Sequence, residues 1–362
     1  MIYSIFADYN TTLYEISSSI NTGLDQILEV EKVIKPTTSE SFNSRPLIKF
    51  DLSSVSQSIV DGLITSPSFS LKLFATDNQE QIPAEYSLNI YPVSESWNRG
   101  IGRRFNKPSV KEGASWKYRD GEEAGTEWTT GSFSAYSTGS YSVNKGGGTW
   151  YTSSAASQSY SYQAADVDTD VTSIVDSWLG GTNINNGFIV KRADTDEKSL
   201  VELGNLKFFS AETHTVYQPK LEVKWDDSSF STGSLSALTD EEITVYFKNL
   251  KSEYKPGEKA KVRVRGRATY PTKTYSTSSA YLDNKYLPTS SYYSLRDAYT
   301  EEVIVPFSDN HTKISCDTSG NYFNIWMDGL HPERFYRFVI KVKRSSTDIQ
   351  IFDNDYIFKL VR

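Results

Sequence analysis

The chain is poor in sulfur and in histidine: its 362 residues include one Cys, two Met and three His. A single thiol, Cys316, excludes an internal disulfide framework and any zinc site built on several thiolates. His214, His311 and His331 lie too far apart in sequence for two of them to share a helical turn, which excludes a local histidine metal motif. No apolar run approaches the roughly 20 residues that span a bilayer, so no membrane insertion is expected. The opening, MIYSIFADYNTTLYEI, has neither a basic stretch nor a long apolar core. No secretory signal is therefore expected, and synthesis is assigned to a reducing compartment. Asn10-Thr11-Thr12 and Asn310-His311-Thr312 match the glycosylation pattern but read as chance matches in that setting. Basic residues are in the minority, 38 Lys and Arg against 45 Asp and Glu. A net charge of −7 argues against the whole chain being a nucleic-acid binder.

What the chain does have is aromatic mass, 24 Tyr and 18 Phe, with few helix-length runs of Ala, Leu, Glu and Lys. That composition leans to β structure. Period-two alternation at 47–52, 69–74, 88–91 and 221–225 predicts half-buried strands. One short helix is expected over 170–179. Val171, Ile174, Val175 and Trp178 share a face there, Asp170 can cap it and Gly180-Gly181 can stop it. Charge divides unevenly: residues 1–226 carry 19 basic against 28 acidic side chains, and residues 227–362 carry 19 against 17. The polar, small-residue stretch at the change predicts a linker over 227–240, between a first domain at 1–226 and a second at 241–362. Many short strands with turn signals between them predict an all-β fold, a jelly-roll β-sandwich followed by an immunoglobulin-like β-sandwich.

Two features could make contacts. The segment 130–163 sets Tyr136, Tyr141, Trp150, Tyr151, Tyr160 and Tyr162 among Ser, Thr and Gly, a mixture that suits a contact surface. The same rings could instead pack on their own sheet. The run Gly146-Gly147-Gly148 favours the contact reading, because three glycines are expensive to order in an isolated chain. In the second domain Lys259, Lys261, Arg263, Arg265 and Arg267 occupy alternate positions, so a strand there points all five to one face. That face is either a solvated outer surface or an electrostatic dock for an acidic neighbour. No catalytic set stands out. There is no Gly-x-Ser-x-Gly elbow, Cys316 reads as a buried strand thiol, and Glu122, Glu123 and Glu127 read as solvated charge in a polar turn. Asp166, Asp168 and Asp170 alternate as in a calcium loop, yet the Gly and distal Glu of such a loop are missing. No metal and no cofactor is expected.

Taken in order, six segments resemble a known module. They are Ser19-Ile20-Asn21-Thr22-Gly23; Ser44-Arg45-Pro46-Leu47-Ile48-Lys49-Phe50-Asp51-Leu52-Ser53-Ser54; Val93-Ser94-Glu95-Ser96-Trp97; Asp170-Val171-Thr172 with Trp178; Asn186-Gly187-Phe188-Ile189-Val190-Lys191; and Phe209-Ser210-Ala211-Glu212 leading to Pro219-Lys220-Leu221-Glu222-Val223. Together they resemble the DNRLRE-type, or family 96 carbohydrate-binding-like, module, which implies a jelly roll over most of 1–226. Such modules are usually secreted. Gly146-Gly147-Gly148-Thr149-Trp150-Tyr151 and Ser315-Cys316-Asp317-Thr318-Ser319-Gly320-Asn321-Tyr322-Phe323 are also similar to structural proteins of tailed bacteriophages, notably large marine myoviruses. That resemblance implies a non-enzymatic virion protein of the neck, tail or baseplate, made in the host cytoplasm. Its expected partners are other virion proteins in a multi-copy symmetric assembly, and no nucleic acid. The alternative is a glycan-binding adhesin whose Tyr/Trp segment stacks on host-surface sugars.

Overall fold

In the computed structural model, the chain is described at residues 1–35, 40–76, 83, 85–121, 125–129, 146–161, 166–272 and 284–362. The first thirteen strands are β1 Ile2–Phe6, β2 Tyr9–Tyr14, β3 Ile27–Ile34, β4 Ser41–Lys49, β5 Ser68–Leu73, β6 Glu85–Pro92, β7 Tyr118–Asp120, β8 Thr126–Glu127, β9 Ala156–Ser161, β10 Val167–Asp170, β11 Phe188–Arg192, β12 Gly204–Phe209 and β13 Lys220–Lys224. The next twelve are β14 Ser236–Ala237, β15 Ile243–Phe247, β16 Glu253–Tyr254, β17 Lys259–Ala268, β18 Lys285–Tyr286, β19 Ser291–Asp297, β20 Val303–Val305, β21 Ser315–Asp317, β22 Gly320–Trp326, β23 Phe335–Lys343, β24 Ile349–Phe352 and β25 Ile357–Leu360. Among the described residues three short α-helices accompany them: α1 Ser53–Val60, α2 Thr172–Leu179 and α3 Asp194–Lys198. The protein is all-β, as its composition implied.

The chain forms two compact units. Residues 5–57 and 68–222 make the N-terminal unit; residues 1–4, 58–67 and 223–362 make the C-terminal unit. The cut is thus not a single point near residue 226, and the stretch 227–240 is no free linker. Ser231 N–H donates to the Cys316 carbonyl at 2.9 Å, Ser236 and Ala237 pair in parallel with β18, and Leu238 is buried. A polar composition does not keep a segment out of a sheet when its backbone groups find partners.

In the N-terminal unit, a seven-stranded antiparallel sheet runs β12-β3-β4-β11-β6-β9, with β2 also on β4. Among the described residues, this part of the chain also forms a four-stranded sheet, β1-β13-β5-β10, and a two-stranded one, β7-β8. Alternation sets their faces. In β5 Phe69, Leu71 and Leu73 are buried, and in β6 Tyr86, Leu88 and Ile90. Helix α2 forms where periodicity placed it and buries Ile174, Val175 and Trp178. Its N-cap is Val171, one residue later than expected, while Asp170 accepts the Thr172 N–H at 2.9 Å. A second core holds Leu13, Leu47, Val93, Trp97, Trp116, Trp128, Trp150 and Ile189. The Trp97 and Trp128 indole N–H groups donate to the Asn186 and Ser115 carbonyls, so their polar edges are satisfied inside it.

The C-terminal unit is a two-sheet sandwich. One sheet runs β14-β18-β17-β22-β21 with β15 on β17, and the other β16-β25-β23-β19-β20 with β24 on β23. Val262, Val264, Phe323 and Ile325 from the first meet Tyr293, Phe338, Ile340 and Phe358 from the second. Tyr293 stacks on Phe323 with centroids 4.2 Å apart.

Candidate interaction surfaces

Three of the tyrosines singled out above, Tyr136, Tyr141 and Tyr162, lie outside the described residues. The other three aromatics of that segment do not act together as a contact surface. Trp150 is 1% exposed and belongs to the second core, tilted 5.8 Å from Tyr91. Tyr160 is 7% exposed and stacks on Tyr86 at 4.6 Å. Tyr151 is half-buried and donates its N–H to the Pro92 carbonyl at 3.0 Å. The glycine run is likewise used inside the unit. Gly146, Gly147 and Gly148 all have φ in the left-handed region, at 126°, 88° and 86°. A Cβ on Gly147 would meet the Arg45 guanidinium and come within 2.8 Å of the Trp116 ring. Glycine lets the backbone close on both groups: Gly147 N–H donates to the Trp116 carbonyl at 2.6 Å, and Arg45 Nη1 donates to the Gly147 carbonyl at 2.8 Å.

Arg45 leads to a group of charges that sequence reasoning missed. Arg45 Nε and Nη2 grip both oxygens of Glu197 on α3 at 3.0 and 2.8 Å, and Lys191 Nζ reaches Glu197 at 3.1 Å. Lys32 Nζ donates to the Glu197 carbonyl at 2.5 Å and to Ser41 Oγ at 2.9 Å. All four side chains are buried. Burial alone would raise the Glu197 carboxyl, but Arg45 and Lys191 hold it down at about 2. Burial lowers the Lys32 ammonium to about 8. Arg45 and Lys191 lie in segments quoted above for the resemblance, but no local pattern brings the four positions together.

Tyr86 and Tyr160 line a hollow of about 520 Å³ with Ser87, Ser159, Thr195 and Asp196. Ser87 and Ser159 hydroxyls bond to each other at 3.0 Å, while the buried Tyr160 hydroxyl has no hydrogen-bond partner among the described residues. Burial raises the pKa of that phenol.

The basic ladder faces one way. Strand β17 buries Val262, Val264 and Ala268, so Lys259, Lys261, Arg263, Arg265 and Arg267 share the opposite face. Register on β22 sets Trp326 across from Lys259, Asn324 from Lys261 and Tyr322 from Arg263. Lys259 sits 3.7 Å from the Trp326 centroid and Lys261 3.6 Å from that of Tyr322. Asp317 binds Lys261 at 2.8 Å and Arg263 at 2.5 Å, and those two cations hold its carboxyl well below the usual range. Arg267 turns back to the Ala268 and Thr269 carbonyls. Much of the ladder's charge is therefore engaged within the sheet, which weakens it as an electrostatic dock.

The acidic candidates have local partners. Asp166 accepts the Ala75 N–H at 2.7 Å, Asp168 pairs with Lys72 at 3.2 Å, and Asp170 serves α2. Glu127 pairs with Lys117 at 3.2 Å, while Glu122 and Glu123 lie outside the described residues. Cys316 is buried, and burial raises its thiol pKa.

An apolar edge went unnoticed in the sequence. Strand β24, Ile-Gln-Ile-Phe, pairs among the described residues with β23 alone. Ile351 is 61% exposed and Ile349 49%, opposite Lys341 and Lys343 on the outer face. Ile357 of β25 continues the exposed row along the same edge of β23.

No family model and no curated protein matches the chain. Among solved structures it is similar to a DUF4785 family protein from Legionella pneumophila, at 8% identity and a TM-score of 0.19. That alignment covers 99% of this chain and 62% of the other, so the chain spans less than two thirds of that protein. It is also similar, at 8% identity and a TM-score of 0.14, to the binding domain of botulinum neurotoxin DC in complex with SialylT, covering 99% and 78%. At these scores neither likeness carries a functional argument.

Proposed function

We propose that the protein is a non-enzymatic structural component of a tailed-phage virion, at the neck, tail or baseplate, and that it works by contacts with neighbouring subunits. The observation that supports this most is the exposed edge at β24. Sheet edges in soluble proteins are normally blunted by charge, proline or a bulge. Strand β24 has none of these within it and adds two outward isoleucines. Such an edge suits a neighbouring strand or apolar surface, at roughly 25 cal/mol per Å² of apolar area covered. Replacing Ile349 and Ile351 together with Lys is expected to leave the melting temperature of the isolated protein within a few degrees. The same variant should be lost from purified particles, scored by mass spectrometry in a complementation assay. Full incorporation of the variant would remove the edge as the contact.

A second reading, glycan binding, is favoured by the hollow at Tyr86 and Tyr160, where hydroxyls, a carboxylate and an unpartnered phenol line one concavity. Saturable binding on a glycan array, abolished by Tyr160→Phe with Ser159→Ala, would establish it. An array with no binding would dismiss it.

A further inference from the structure

Two further buried residues of the N-terminal unit lie beside the charges around Glu197 without contributing to them. Glu15 sits in the 3₁₀ turn Glu15–Ser17 that follows β2, and Asn43 sits on β4; they are 0% and 3% exposed. Glu15 Oε2 accepts the Asn43 backbone N–H at 3.0 Å and the Asn43 Nδ2–H at 3.1 Å. The amide oxygen of Asn43 is buried and has no hydrogen-bond partner among the described residues. A buried carboxylate thus holds the nitrogen of a carboxamide whose oxygen is unengaged.

Antiparallel register places Lys32 of β3 directly opposite Asn43. Directly opposite residues share a face of the sheet, with Cβ atoms about 5 Å apart. Lys32 is also fully buried, with its Nζ resting on Ser41 Oγ at 2.9 Å and on the Glu197 carbonyl. Ser41 is two residues from Asn43 on the same face of β4. A flexible four-carbon stem that reaches Ser41 on the diagonal also spans the shorter gap to Asn43. Four charged groups act on the amine. Glu197 and Glu15 favour its charged form, Arg192 and Arg45 oppose it, and burial outweighs the two acids. Near neutral pH more of this amine is neutral, and therefore nucleophilic, than in an exposed lysine.

We infer that Lys32 and Asn43 condense into an intramolecular isopeptide bond, with Glu15 carrying the proton. Lys32 Nζ attacks Asn43 Cγ, and the Nζ–Cγ bond forms as the Cγ–Nδ2 bond breaks. One Nζ proton passes by way of the Glu15 carboxylate to Nδ2, which leaves as ammonia. Atoms and charge balance with no oxidant, reductant or co-reactant. The product ties β3 to β4 covalently, so these two strands cannot be pulled apart without breaking an amide. This modification is independent of the β24 edge and of whether the protein is a virion component.

The intact mass of the full chain, measured under denaturing conditions, tests it. The expected mass is about 17 Da below that of the sequence, the loss of one ammonia. Tryptic digestion should yield a branched peptide that joins the segments around Lys32 and Asn43, with no cleavage after Lys32. Lys32→Gln and Asn43→Ala should each show the full mass of their own sequences. Glu15→Gln that still melts cooperatively should retain its ammonia, and cross-linking of that folded variant at the wild-type rate would overturn the role of Glu15. A full wild-type mass, unchanged after prolonged incubation above about pH 8, would overturn the inference. So would an ammonia loss that survives Lys32→Gln, which would assign the change to an asparagine cyclising on its own backbone.

Discussion

Gly147 occupies a position that no other residue fits. Its left-handed backbone and its closeness to Trp116 and Arg45 are separate obstacles to a side chain. Gly147→Ala is expected to destabilise the protein by about 2–4 kcal/mol, read as a lowered midpoint in a thermal or denaturant melt. Asp25 carries a different signature. Burial raises its carboxyl to about 6, with the Arg104 N–H opposing. An acid whose folded pKa is raised binds its proton more tightly in the folded state, so stability falls as pH rises from about 4, the unfolded value, to about 6. Asp25→Asn should remove that slope. The measurement is the melting temperature of both proteins across this window, and parallel profiles would refute the assignment.

At the level of elements, α3 is five residues long, four of them charged, yet it is anchored by its one buried side chain, Glu197. Arg45→Met would take the two-pronged guanidinium contact away from that buried carboxylate. The expected loss is about 3–5 kcal/mol, whereas replacing Arg45 and Glu197 together with apolar residues should recover much of it. Glu197 also fixes an acid limit. Its folded pKa is depressed, so its contribution is present above the unfolded value near pH 4 and lost as pH falls toward about 2. Elements such as β5, β6, β17 and α2 were legible in the sequence, because a strand or helix facing one core writes its period into neighbouring residues. The buried charges were not. Arg45 meets Glu197 across 152 positions and Gly147 across 102, and nothing local records such a pairing. In the Tyr/Ser/Gly segment the two alternatives, contact surface or packing on its own sheet, could not be told apart for the same reason: the burial of Trp150 and Tyr160 is decided by Trp116, Tyr91 and Tyr86 elsewhere in the chain. Helix α1 was missed because its Ser-rich sequence is a weak helix former.

Across the whole molecule, the change in charge near residue 226 is real as composition but does not mark where the compact units divide. Residues 1–4 and 58–67 belong with 223–362. A fragment ending at residue 226 would carry those segments without the rest of their unit. It is expected to bind a hydrophobic dye and to lose residues 1–4 and 58–67 first under limited proteolysis. Resistance at both places, equal to that of the full chain, would contradict the division. The same discontinuity sets an order in time. On the ribosome, residues 1–4 emerge long before most of the unit they belong with, and the apolar Met1, Ile2 and Tyr3 wait for it while more than half of the chain is made. Folding of the C-terminal unit is therefore a late event governed by contacts distant in sequence, the class that closes slowly and relies on chaperones to keep early segments from pairing wrongly.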